Sequence, residues 1–204
     1  MGTWRIFGAV VVLAFFVLAV PTWSQEPTAG PPTFQVGETW NFLAADGHKS
    51  ALEILAIEGD AITTTSPWQR ACLKCRTTFS PPFTPLKVAD EAGKPWAPDR
   101  GFQATGPRWR YIDWPLTVGK SWSVSDKALF NAQWVDYRVY FKVVGLEDVK
   151  VKAGTFKAYK IQRDWNTQYW RGQETVWYVP EVKWYVKRTG DFATDWELEA
   201  YSLK

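Results

Sequence analysis

A single histidine, His48, and two cysteines, Cys72 and Cys75, are the only soft metal ligands in this 204-residue chain. A structural zinc site takes four such ligands, so none can be completed from Cys and His alone. The cysteines lie in ACLKCR, where Arg76 occupies the place a haem-attachment motif gives to histidine, and no βαβ pattern surrounds them as a redox pair would have. The remaining reading is a local Cys72–Cys75 disulfide pinning a loop in an oxidising compartment. It closes so short a loop that its entropic gain is small. A nucleophile elbow of the GxSxG type is also missing, and His48 follows Asp46-Gly47 in a turn, so a Ser-His-Asp arrangement has no support. Gly101 and Gly106 lack the strand-to-helix context of a phosphate loop. The acids Glu53, Glu58, Asp136, Glu147, Asp148 and Glu174 are dispersed, and nothing selects the carboxylate pair that glycoside hydrolysis requires. Lys and Arg total 24 against 21 Asp and Glu, with no basic run, which gives no reason to expect nucleic acid. The expectation is a protein that is not an enzyme and holds no cofactor and no metal.

The one long apolar run is N-terminal. Ile6–Val20 follows a lone Arg5 and ends at Pro21, with the small residues of Thr22-Trp23-Ser24 before Gln25. A spanning helix needs about 20 apolar residues, whereas a signal-peptide core needs about 7–15. Residues 1–24 therefore read as a signal peptide, and the protein as periplasmic or secreted. Membrane contact would follow only if this segment stayed uncleaved. Residues 25–33, QEPTAGPPT, read as a flexible or extended Pro/Gly-rich tether.

Residues 34–204 read as one β domain. Thr39–Ala44 and Ser50–Ile57 form a hairpin around Asp46-Gly47, and 60–65 follows as a strand. From 66 to 115, prolines at 67, 81, 82, 85, 95, 98, 107 and 115 dissolve the pattern into a long irregular insertion. Regularity returns at Lys120. In QWVDYRVYFKVVGL (133–146), Val135, Tyr137, Val139, Phe141 and Val143 alternate with Trp134, Asp136, Arg138, Tyr140 and Lys142, a period of two that marks a half-buried strand. Segments 148–151, 156–163, 174–179, 183–188 and 196–203 continue the series, and no amphipathic helix of ten residues interrupts it. The fold expected is mainly β, a single curved antiparallel sheet or half-open barrel. FQVGETW (34–40) and LTVGKSW (116–122) repeat one another, each placing a glycine just before a strand that starts at tryptophan. Both read as strand-entry corners where the chain either bends sharply or takes a φ that a Cβ would forbid.

The succession WPLTVGKSW (114–122), VKVKAGTFKAYKI (149–161), TVWYVPEVKWYVKR (175–188) and WELEAYSL (196–203) resembles TapB-like exported bacterial proteins. Those proteins in turn resemble the half-open barrels of the lipoprotein-localisation (LolA/LolB) type, which cradle acyl chains in a concave sheet. The resemblance covers roughly residues 34–64 and 114–204 and carries no catalytic residue. It implies a non-enzymatic envelope protein that takes an apolar or amphipathic small molecule, lipid-like, or an envelope partner protein, in its concave face.

Of the 14 tryptophans, all but Trp4 and Trp23 lie beyond the expected signal peptide, and that is more than core packing needs. Trp109, Trp114, Trp134, Trp165, Trp170, Trp177 and Trp184 are the candidates for ligand contact. Those in PRWRYIDWP and RDWNTQYWRGQ sit among charges in expected loops, where Arg108, Arg110, Arg163 and Arg171 stack on indoles or meet anionic groups, stacking being the favoured role. The rival expectations are carbohydrate binding through exposed tryptophans, with Trp109 and Trp114 or Trp165 and Trp170 on one flat face, and a structural part in an envelope assembly.

Overall fold

The computed structural model describes residues 27–65, 74–80, 84–94, 102–104, 112–130, 133–169, 171–191 and 195–204. The expected signal peptide and Cys72 lie outside them. Twelve strands form the described structure: β1 (Thr39–Ala44), β2 (Lys49–Glu58), β3 (Ala61–Thr65), β4 (Arg76–Ser80), β5 (Thr84–Ala89), β6 (Phe102–Ala104), β7 (Ser121–Phe130), β8 (Gln133–Val151), β9 (Gly154–Thr167), β10 (Arg171–Val179), β11 (Trp184–Gly190) and β12 (Trp196–Ser202). They make one sheet in the order β5-β4-β3-β2-β1-β12-β11-β10-β9-β8-β7-β6, with every pair antiparallel.

A sheet this wide stays flat only at the cost of its twist. Register shifts at Asn41/Phe42, Ile54/Ala56, Thr78/Phe79, Val143/Gly145 and Trp177/Tyr178 add local bend. The curvature brings together strands that are not neighbours: Ala153 N–H of the β8–β9 turn donates to Leu198 O of β12 at 3.0 Å, and the Phe156 and Tyr201 rings lie 6.0 Å apart. The sheet is curved and open.

The alternation expected for β8 is met residue by residue. Val135, Tyr137, Val139, Phe141 and Val143 are buried on the inner face, and Asp136, Arg138, Tyr140 and Lys142 are exposed on the outer one. Segments 133–146 and 148–151, read as two strands, are one, joined through the bulge at Gly145.

The two VG corners have the same backbone. Glu38 N–H closes a turn on Gln35 O and Lys120 N–H on Thr117 O, both at 3.2 Å, and Gly37 and Gly119 share a φ of 86°. This is the positive φ that the third residue of a type II turn demands. Each glycine N–H then donates at 2.8 Å to the neighbouring strand, to Ile54 O and Val143 O respectively. Trp40 is fully buried, and Trp122 stacks on Phe141 with ring centroids 5.0 Å apart and planes 4° from parallel.

Two expectations change. The stretch 66–115 is not irregular throughout: it contributes β4, β5 and β6. Pro85 sits in β5, the last strand of the sheet, where one side needs no ladder partner. The Pro-rich segment before the domain is extended, as its prolines require, but docked. Ala29 is buried and exchanges backbone hydrogen bonds with Leu116 (3.1 and 2.8 Å), while Tyr159 O–H donates to Pro27 O at 2.8 Å. Leu116, the partner of Ala29, is fully buried, as is Ile112.

Candidate functional site

The inner face buries an ionic cluster. In β9 and β10, Arg163 lies directly opposite Glu174, and Val176 lies opposite Arg188 of β11, so all these side chains share one face. Arg163 Nη1 donates to Glu174 Oε1 at 3.0 Å, the Trp165 indole N–H donates to the same oxygen at 3.1 Å, and Arg188 Nε donates to Oε2 at 2.5 Å. The Arg163 guanidinium lies 4.9 Å from the Tyr185 ring centre and 5.7 Å from that of Phe141. Burial alone would raise the Glu174 pKa, but the two guanidiniums outweigh it and hold the carboxyl below its ordinary value. Burial raises the pKa of both Tyr178 and Tyr185. Each described charge here has a partner of opposite sign, so the cluster reads as a locking element of the sheet.

The candidate tryptophans do not converge. Trp109 and Trp170 lie outside the described residues, and Trp134 occupies the β8 position opposite Leu129. Trp114 is half-buried with its ring 5.2 Å from that of Tyr178. Trp165 and Trp177 fall on opposite faces, since Trp177 pairs with Lys160 and Trp165 with Gly172. Trp177 is buried on the outer face, its indole N–H donating to Glu147 Oε1 at 2.8 Å, with Lys160 and Lys187 ammonium groups 5.5 and 5.3 Å from its ring. Trp184 is buried among Phe34, Trp40 and Phe79. Among the described residues the strongly exposed aromatic rings are tyrosines: Tyr169 at 60%, Tyr140 at 45% and Tyr201 at 37%. Cys75 is buried, and among the described residues no cysteine is free.

Two of those tyrosines border a groove of about 1020 Å³ near the β9–β10 turn, at the upper end of small-molecule sites. Register builds it. Ser125 of β7 lies opposite Arg138 of β8, Arg138 opposite Asn166 of β9, and Asn166 opposite Arg171 of β10. That makes one polar row across four strands on the outer face. Lys127, Asp136, Tyr140, Gln168 and Tyr169 complete its outer-face lining, and Tyr137 and Thr167, buried on the inner face, also border it. Arg138 is held in place by Nε donating to Ser125 Oγ at 2.9 Å and Nη1 donating to Tyr140 Oη at 3.0 Å, and it lies 5.8 Å from the Tyr140 ring centre.

The sequence reading passed over Arg138, Tyr140, Asn166 and Tyr169. The alternation in β8 places Arg138 and Tyr140 on one face, but nothing in the sequence brings Asn166 and Tyr169 beside them.

No family model matches the chain, and no curated protein matches it. Solved structures do. An exported-type protein with a YmcC-like fold from Bacteroides fragilis NCTC 9343 aligns at a TM-score of 0.47 and 15% identity, over 85% of this chain and 99% of that one. The hypothetical lipoprotein YmcC of Escherichia coli K12 aligns at 0.45 and 13%, over 82% and 83%. A lipoprotein-type structure from Parabacteroides distasonis ATCC 8503 aligns at 0.44 and 13%, over 87% and 100%. These likenesses name no ligand.

Proposed function

We propose that this is an exported, non-enzymatic cell-envelope protein that binds a polyhydroxylated chain, a carbohydrate, in the outer-face groove. The observation that carries this reading is the four-strand row Ser125–Arg138–Asn166–Arg171 bordered by exposed Tyr140 and Tyr169. Hydroxyl, amide and guanidinium groups on a rigid sheet offer donors and acceptors in the density that sugar hydroxyls require. The tyrosine rings offer flat apolar faces that also carry a polar end. An apolar ligand in the concave face is less well supported, because the strap around Ala29 and the residues Ile112–Leu116 occupy the inner face above Tyr159 and Tyr178.

Binding of a panel of neutral and acidic oligosaccharides, measured by calorimetry on wild type, Y140A and Y169A, tests the proposal. Loss of one stacking ring should weaken affinity about three- to tenfold. No binding across the panel, or binding untouched in both variants, would remove the groove from consideration.

A further inference from the structure

Resting on the groove reading, we infer that the carbohydrate it takes is acidic, a chain bearing carboxylates such as uronic acids. The groove is lined by Lys127, Arg138 and Arg171 and by one acid, Asp136. Asp164 lies opposite Tyr140 one row away and is not part of the lining. The weight falls on the two arginines. A carboxylate is the strongest hydrogen-bonding partner an arginine on a sheet face can have. Arg138 is fixed by uncharged groups instead, the hydroxyls of Ser125 and Tyr140 and the ring of Tyr140. Only two of its five N–H donors are used in these bonds. The Arg171 side chain, two strands away in the same row, makes no hydrogen bond or ion pair among the described residues.

The geometry matches that charge. A guanidinium is a planar fork suited to bidentate carboxylate contact. Two forks separated by Asn166 across adjacent strands suit carboxylates repeated along a chain, with the Asn166 amide available to the hydroxyls between them. Holding Arg138 in place beforehand removes part of the ordering cost of binding.

The test uses the chain as recovered from an expressing cell and three probes: an oligogalacturonate, the same oligomer fully methyl-esterified, and a thymidine oligonucleotide of similar charge. Esterification removes the charge while keeping the sugar chain. We expect the acid to bind at least about tenfold tighter than the ester, with an advantage that shrinks as salt rises. R138Q and R171Q, both on the solvated face, should each pull the acid-to-ester ratio toward one. Equal binding of acid and ester overturns the acidic-ligand inference and leaves the carbohydrate reading standing. A ratio unchanged in both variants overturns the role given to the arginines. Absence of binding to either sugar overturns the carbohydrate reading itself. An oligonucleotide that outcompetes both replaces the sugar with single-stranded nucleic acid, for which a basic groove with aromatic rings is also suited.

Discussion

At the scale of single residues, Glu174 is the side chain on which most depends. Its two oxygens accept from Arg163, Trp165 and Arg188 in a place with almost no solvent. A buried ion pair is often no better than a hydrophobic pair of the same volume, but removing one member leaves a charge stranded. Glu174→Ala strands two guanidiniums and should cost about 3–5 kcal/mol in urea unfolding. The pH dependence has a definite sign. The folded carboxyl sits below its ordinary pKa because of Arg163 and Arg188, against the opposing effect of burial. Such a group contributes stability that is complete above the unfolded value, roughly 4.3, and is lost as pH falls through the lower folded value. Wild type should therefore lose stability progressively below about pH 4. In Glu174→Gln the starting stability is lower but the acid slope is shallower. Identical slopes would show that Glu174 does not carry the acid sensitivity.

At the scale of elements, the two VG corners show how a short local pattern becomes architecture. Gly119 has a φ of 86° and open space where a Cβ would stand, so Gly119→Ala probes conformational strain without a clash. The expected loss is about 1–2 kcal/mol. Gly119→Asn should cost less, because asparagine tolerates the left-handed region. If both variants unfold at the wild-type urea midpoint, the corner does not need its glycine. This corner was legible in LTVGKSW, as was the alternation of β8, because both are local. The strands β4 and β5 were not. Pro81, Pro82 and Pro85 carry a breaker signal, and only the place of β5 at the end of the sheet makes Pro85 tolerable there. The groove was illegible for a different reason. Ser125, Arg138, Asn166 and Arg171 meet only because three strand pairings hold one register, and no stretch of sequence states that register. The tryptophan excess pointed elsewhere for a related reason. Composition counts large rings, yet burial of Trp40, Trp177, Trp184 and Trp196 depends on which neighbours the curved sheet supplies.

At the scale of the whole molecule, the segment before β1 works as a strap. Around Pro27 and Ala29 it is tied down by the Ala29–Leu116 bridge and the Tyr159–Pro27 bond, whereas nearer β1 Phe34 packs on Trp40, Phe79 and Trp184 and Gly37 bonds to Ile54. The stretch around Pro27 and Ala29, held by these few bonds, belongs to the low-stability end of the molecule and should open before the sheet does. Tyr159 is the clearest handle, since it is almost fully buried in β9 and its hydroxyl reaches a carbonyl in a segment far away in sequence. Tyr159→Phe keeps the ring and deletes one hydrogen bond, at a cost of about 0.5–1.5 kcal/mol. If the strap opens as a unit, that loss appears as a matching rise in hydrogen exchange at the Ala29 and Leu116 amides, with the β8–β9 amides unchanged. If exchange rises uniformly across β8 and β9 instead, the strap is part of the global unfolding unit, and the inner face is exposed only when the sheet itself comes apart.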